Sequence, residues 1–124
     1  MSTPRLGAIS LDCGDPATLS RFWADLLGGE IIVSRHDIGV VRLDHVLLTA
    51  MRVDDHVPPT WPSGPVPKQC HVDLAVDDLD ESERRAVALG AVRAATQPEP
   101  EGHRVMLDPA GHPFCLSLAS NFPG

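Results

Sequence analysis

The chain has 124 residues, of which 43% are hydrophobic and 22% charged, proportions that suit a single globular domain. Its net charge of −7 argues against nucleic acid or an anionic membrane surface as a partner, and no window is apolar for long enough to span a bilayer. The three cysteines (Cys13, Cys70 and Cys115) are odd in number and lie in strand-like runs, which predicts reduced thiols and a cytoplasmic location.

The first half of the chain predicts a strand, a helix and three further strands. Residues 6–13 alternate in polarity as a half-buried strand does, with Ser10 and Asp12 on one face. Asp15-Pro16 has the form of a helix N-cap followed by the first helical residue, and Gly28 is a typical helix end. The apolar face of this helix recurs at spacings of three and four: Leu19, Phe22, Trp23, Leu26 and Leu27. The strand candidates that follow are residues 30–34, 39–44 and 46–53.

The second half of the chain repeats this order. Residues 71–76 alternate and put His71 and Asp73 on one face, after which Asp78 begins a helix that ends at Gly90. The strand candidates are residues 91–95, 103–107 and 113–118. Such an internal repeat predicts an α+β fold of two βαβββ modules, at about 5–53 and 69–119, within one domain covering 1–124.

A Pro-rich segment, residues 54–68, separates the two modules. It contains five prolines and Trp61, a composition that disfavours a helix or an inner strand. We interpret it as an ordered linker, with a mobile surface loop as the alternative. A large indole ring usually packs on something, so Trp61 either forms a wall over a ligand or packs in the core at the module junction.

Three stretches resemble the vicinal oxygen chelate superfamily, which covers glyoxalases, bleomycin resistance proteins and dioxygenases: LDCGDPATLSRFWADLLGG, HVDLAVDDLD with its helix ending in LGA, and DPAGHPFCL. The run PPTWP before the HVDL strand is similar to the glyoxalase-like domain subgroup. The resemblance implies that the paired modules form a curved, cup-shaped mixed sheet, with helices on the outer face and a pocket on the other. The superfamily includes lyases, isomerases, extradiol dioxygenases, thiol transferases and antibiotic-binding proteins, so the fold alone does not select an activity.

The same resemblance identifies four positions where metal-using members place their ligands, namely Ala8, Met51, His71 and Cys115. Alanine offers no ligand atom, and a methionine thioether suits copper better than zinc or iron. Asp73 could supply a third strong ligand. However, its Cα lies about 6.5–7 Å from that of His71 along a strand, which does not favour convergence on one ion. We therefore expect no cofactor and no stoichiometric divalent metal.

The remaining chemistry centres on three polar groups of the second module. His71 and Asp73 form either a functional His–carboxylate pair or a hydrogen-bonded remnant of the ancestral metal site. Cys115 is either a pocket thiol, nucleophilic beside His71, or a small buried apolar residue, the commoner fate of a free cysteine. In the first module, Ser10 and Asp12 either anchor a ligand's amine or hydroxyl group or lie at a wet rim.

The leading hypothesis is a protein that binds a small organic molecule without metal. Its candidate ligand-binding residues are His71, Asp73, Cys115, Met51, Trp61, Asp12 and Ser10. The alternative is a glyoxalase-type lyase or isomerase, or a dioxygenase-like enzyme, that uses His71 with Asp73 or Cys115. A third hypothesis is a structural or regulatory dimer with a vestigial pocket. We expect a homodimer in any case, because short edge strands are commonly hidden by pairing.

Overall fold

A computed structural model describes residues 2–123 of the chain. Within them the structure has two successive βαβββ repeats, as the sequence predicts. The first repeat consists of β1 (Ala8–Cys13), α1 (Pro16–Leu27), β2 (Glu30–Ser34), β3 (Ile38–Arg42) and β4 (Leu47–Arg52). The second consists of β5 (Val72–Val76), α2 (Leu79–Leu89), β6 (Val92–Arg93), β7 (His103–Leu107) and β8 (Pro113–Leu118), followed by a short 3₁₀ helix at Ala119–Asn121.

The first repeat forms a mixed four-stranded sheet in the order β1-β4-β3-β2. β1 and β4 run parallel, whereas the other neighbouring strands are antiparallel. Helix α1 packs on β2, β3 and β4. Its Phe22 and Trp23 are almost completely buried, with edge-to-face rings whose centroids lie 5.2 Å apart. The apolar helix face predicted from the sequence is therefore the core of this repeat.

The ends of helix α1 form where the sequence predicts them. The Asp15 carboxylate accepts hydrogen bonds from the Thr18 backbone N–H at 3.3 Å and from the Thr18 hydroxyl at 2.7 Å. These bonds lower the pKa of Asp15, because they favour its charged form. Gly28 ends the helix with φ of 68°, a left-handed conformation that glycine adopts without steric cost.

The second repeat forms the equivalent sheet in the order β5-β8-β7-β6, with β5 and β8 parallel. Asp78 caps α2 by accepting the Glu81 N–H at 3.0 Å. Arg104 of β7 pairs with Glu83 and Asp80 of α2 at 3.1 and 2.9 Å, so its side chain lies on the helix-covered face of the sheet. Because side chains alternate along a strand, its neighbours on β7 lie on the opposite face, which we call the open face.

Strand β6 is shorter than the predicted 91–95. At its end, the Val105 carbonyl of β7 accepts both the Ala94 N–H at 3.0 Å and the Gln97 side-chain amide at 2.8 Å, and the Gln97 side-chain oxygen accepts the Val105 N–H at 2.9 Å. The backbone pairing thus reaches Ala94, and beyond it a side-chain oxygen accepts the Val105 N–H in place of a strand carbonyl. Of the other predicted strands, 30–34, 103–107 and 113–118 match the observed bounds, and the rest differ from them by one or two residues at an end.

The chain divides into two compact units, one ending at His56 and the other beginning at Val57, so the boundary falls inside the Pro-rich segment. In the second unit, the Thr60 N–H donates to the Val66 carbonyl at 2.6 Å, and the Val66 N–H donates to the Thr60 hydroxyl at 3.1 Å. These bonds close residues 60–66 into a loop that carries Trp61. Neither helix in residues 2–123 combines the length and the apolar character needed to cross a membrane.

Candidate functional site

Three polar side chains converge on the open face of the second sheet. His71 directly precedes β5, Asp73 lies within it, and Cys115 faces Asp73 in the register of β5 against β8. His71 Nε2 lies 3.2 Å from Asp73 Oδ1, and the Cys115 thiol donates a hydrogen bond to the Asp73 carboxylate. The potential ligand atoms of all three residues lie within 4.8 Å of one another. We call these three residues the His–Asp–Cys trio.

The convergence of His71 and Asp73 corrects our expectation from strand spacing. A separation of about 6.5–7 Å between Cα atoms assumes side chains that stand perpendicular to a regular strand. His71 lies outside the regular ladder of β5, and its long imidazole side chain reaches the carboxylate of Asp73. The pair is partly open to solvent, with side chains 35% and 44% exposed.

The Cys115 thiol is held in its neutral form. Burial raises its pKa first, and the negative charge of Asp73 and the hydrogen bond to it raise the pKa further. The Lys68 ammonium acts in the opposite direction but does not reverse the shift. Because the thiolate is the nucleophile, this environment does not favour Cys115 as an attacking group. The Cys115 side chain is intermediate in exposure, so it is neither open to solvent nor fully buried.

The ligand atoms of the trio suit a metal ion in type, but they lie too far apart to bind one without moving. One nitrogen, one oxygen and one sulfur are ligand types that zinc accepts, and the three come from one module. Ligand atoms around tetrahedral zinc lie about 3.3–3.7 Å apart, so the trio would have to close by about 1 Å. Of the four positions implied by the resemblance, Ala8 still offers no donor atom and Met51 only a thioether. The trio therefore fits a three-ligand ion better than those four positions do. An ion bound there would polarise a carbonyl group or acidify a bound water.

A cavity of about 200 Å³ lies beside the trio on the second unit. Among the residues predicted from the sequence, Trp61, His71 and Cys115 line it. Asp73 does not line the cavity, but it bonds to two side chains that do. Trp61 is thus among the residues that line this cavity.

The other predicted residues lie in the first unit. Ser10 and Asp12 are on β1 and Met51 is on β4, and all three are exposed. Asp12 and Met51 are neighbours in the register of the two parallel strands. Asp12 and Ser10 lie two residues apart on one strand and so share a face, as predicted.

Five residues that line the cavity were not candidates from the sequence: Lys68, His103, Val105, Pro113 and Phe114. Lys68 is the only lysine in the chain, and the composition alone could have marked it as a candidate. Its side chain is half-buried, and within residues 2–123 its ammonium forms neither a hydrogen bond nor an ion pair. His103 and Val105 flank Arg104 on β7, so strand alternation places both of them on the face opposite to Arg104.

Comparisons with known proteins give one family and several similar structures. Residues 8–117 match the family described as "Glyoxalase-like domain". A glyoxalase-related enzyme from Fulvimarina pelagi is 22% identical, with a TM-score of 0.68 over 98% of this chain and 92% of that one. A bleomycin-binding protein from Streptomyces verticillus, solved with copper(II)-bleomycin, is 20% identical, with a TM-score of 0.61 over 95% and 98%.

A third similar structure is a glyoxalase/bleomycin resistance protein/dioxygenase family enzyme from Burkholderia phytofirmans PsJN. It is 15% identical and has a TM-score of 0.72 over 94% of this chain and 99% of that one. The comparison with curated proteins gave no match. At these identities the structural likeness is a likeness of fold.

Proposed function

Because the chain belongs to the glyoxalase-like domain family of the vicinal oxygen chelate superfamily, we propose that it binds a small organic molecule in the cavity of its second unit, without the usual divalent metal. The observation that carries the proposal is the cavity of about 200 Å³, walled by Trp61, Val105 and Phe114, with His71 at its edge. A mainly apolar concavity with a few polar groups is the usual form of a small-molecule site.

Two features favour binding over catalysis by the protein's own side chains. The raised pKa of Cys115 keeps its thiol protonated, so it is a weak nucleophile near neutral pH. The usual metal positions include Ala8 and Met51, which leaves that set one strong ligand short of the three that a catalytic zinc ion normally takes from a protein. In this proposal the His–Asp–Cys trio offers hydrogen-bonding groups to the ligand, beside the apolar wall of the cavity.

A thermal-shift screen of small organic molecules tests the proposal. A ligand present at about 100 times its Kd stabilises the folded state by about 2.7 kcal/mol, which raises the Tm measurably. Hits should lose most of their effect in Trp61→Ala and keep much of it in Trp61→Phe, since phenylalanine restores an aromatic wall. If no compound stabilises the protein, or if hits stabilise Trp61→Ala as much as the wild type, the proposal is wrong.

A metal-assisted lyase, isomerase or dioxygenase is the second candidate, and the convergence of the His–Asp–Cys trio favours it. Elemental analysis of protein purified without chelator discriminates between the two candidates. The binding proposal expects less than about 0.1 zinc, iron or manganese per chain. About one ion per chain, lost in His71→Ala and retained in Cys70→Ser, would replace binding by the enzyme hypothesis. Cys70 is a suitable control because it is an exposed free thiol outside the trio.

We also propose that the protein is a homodimer in a reducing, cytoplasmic compartment. The two-residue strand β6 at a sheet edge, with Val92 59% exposed, supports pairing with a second copy. Cys13, Cys70 and Cys115 are all free thiols, which suits a reducing environment. Light scattering should give twice the monomer mass of 13.3 kDa, and a concentration-independent monomer mass contradicts the dimer.

A further inference from the structure

The cavity contains one cationic side chain without an ionic partner. Lys68 lines it, half-buried, and forms neither an ion pair nor a hydrogen bond within residues 2–123. Partial burial removes water from an ammonium group, and this cost is recovered when an anion binds to it. The arrangement stands out in a chain whose net charge is −7 and whose only lysine is this one.

The other cavity walls define the rest of a ligand. Four apolar residues line the cavity, Trp61, Val105, Pro113 and Phe114; Trp61 is partly exposed, whereas the other three are buried. An apolar cavity of about 150 Å³ can hold one benzene ring. This cavity of about 200 Å³ therefore has room for one ring with one small substituent, and it is smaller than the ~300–1,000 Å³ typical of drug-sized ligands.

The Asp73 carboxylate contacts two residues that line the cavity, but it does not make the cavity a cation site. Asp73 Oδ1 lies 3.2 Å from His71 Nε2, and the carboxylate accepts a hydrogen bond from the neutral Cys115 thiol. Two neighbouring side chains therefore already contact this carboxylate. Asp73 is also not among the residues that line the cavity, whereas Lys68 is.

We propose that the ligand of this cavity is a small organic anion, with a compact apolar or aromatic body against Trp61 and its carboxylate on the Lys68 ammonium. This assignment rests on the proposed binding function and names its ligand class. The closed loop of residues 60–66 carries Trp61, and Lys68 follows just beyond the loop, so the apolar wall and the cation are held on one short segment. Such preorganisation reduces the entropy lost on binding.

Three probes of equal ring size and different charge test the ligand class: benzoate, benzamide and benzylamine. Affinities are measured by ligand-observed NMR at low ionic strength. Wild-type protein should bind benzoate about tenfold more tightly than benzamide, and benzylamine most weakly, because the Lys68 ammonium attracts the charged carboxylate, meets a neutral amide in benzamide and repels a second ammonium. Lys68→Met should remove the preference for benzoate with benzamide affinity unchanged, and Lys68→Arg should keep it. Arg84→Met is the matched control, because it removes an exposed cation from α2 of the same unit. It should leave the affinities for all three probes unchanged.

A chemical experiment on unmutated protein removes any dependence on how the variants fold. Because Lys68 is the only lysine, an acetylating reagent has one side-chain amine to modify, and the α-amino group is an internal reference. Saturating benzoate should slow acetylation of Lys68 at least threefold, as followed by mass spectrometry, and leave the α-amino group unaffected. Benzamide at the same site occupancy should protect Lys68 less.

The outcomes separate this inference from the function on which it rests. If benzamide binds as tightly as benzoate, or benzylamine binds most tightly, the anionic class is wrong while binding in the cavity stands. If benzoate leaves the acetylation of Lys68 unchanged at saturation, Lys68 is not its anchor and the inference is wrong. If none of the three probes binds, the ligand class is wrong, and the binding function fails with it only when the thermal-shift screen also finds no ligand.

Discussion

Asp73 and Cys115 face each other across the parallel strands β5 and β8, and the Asp73 carboxylate accepts the hydrogen of the Cys115 thiol. The same carboxylate lies 3.2 Å from His71 Nε2. Asp73 therefore contacts both His71 and Cys115, the two polar members of the trio that line the cavity. Its charge also keeps the thiol protonated, which links the geometry of the site to the reactivity of Cys115.

The first prediction concerns that thiol. Asp73→Asn removes a charge that raises the pKa of Cys115, so more thiolate should be present near pH 8 and alkylation by iodoacetamide should be several-fold faster. Burial still raises the pKa in the variant, so Cys115 should remain slower than Cys70, which is exposed. Peptide-resolved mass spectrometry measures each rate, with Cys70 as the reference. An unchanged ratio of the two rates would mean that Asp73 does not control the thiol.

The second prediction concerns the contact between α2 and its sheet. Arg104 is only 11% exposed and donates to Glu83, to Asp80 and to the Pro100 carbonyl. Arg104→Met should lower the free energy of unfolding by about 1–3 kcal/mol, because a partly buried carboxylate and a carbonyl lose their donors. Urea denaturation measures the change. Arg93→Met is the control: its ion pair with Glu83 is longer, at 3.5 Å, and Arg93 is 46% exposed, so a loss under about 1 kcal/mol is expected.

The third prediction contrasts the two tryptophans of the chain. Trp23 is 1% exposed in the core of the first unit, so Trp23→Ala should cost about 3–5 kcal/mol of unfolding free energy or prevent folding. Trp61 lines a cavity, so Trp61→Ala should cost no more than about 1 kcal/mol while it impairs ligand binding. Equal destabilisation of the two variants, measured by denaturant unfolding, would show that Trp61 is a core residue.

The fourth prediction concerns the N-cap of α1. The pKa of Asp15 is lowered in the folded state by hydrogen bonds from Thr18, so its charged form stabilises the fold above the unfolded-state pKa. That contribution is lost as the pH falls through the lowered, folded-state pKa. Asp15→Ala should cost about 0.5–2 kcal/mol near pH 7. Asp15→Asn can still cap the helix, and its difference from wild type should shrink between about pH 5 and pH 2. Unfolding curves at several pH values measure this, and a pH-independent difference contradicts the assignment.

Much of the fold was predictable because its signals are local. Asp15 and Asp78 accept N–H groups from residues three positions along the chain, and Gly28 and Gly90 end the same helices. Such caps depend on neighbouring residues alone, so the sequence pattern is sufficient to place them. Alternation likewise put His71 and Asp73 on one face before any strand pairing was known.

Strand ends and partners were less predictable, as Gln97 shows. Its side-chain amide bonds to the backbone of Val105 where the pairing of β6 with β7 ends, and this depends on which residue lies opposite. A polar residue after a short apolar run gives no sign of this from sequence. The same limitation applies to the candidate site, because no local pattern indicated that Cys115 would lie beside Asp73.

The sequence by itself determined the repeated order of strand, helix and three strands, the helix ends, and the face shared by His71 and Asp73. Only the tertiary structure decided that β5 pairs with β8 in the register that sets Cys115 opposite Asp73. It also decided that Trp61 and Lys68 reach the same cavity. The difference is physical: caps and alternation depend on residues a few positions apart, whereas strand register and cavity walls depend on groups that become neighbours only when the chain folds.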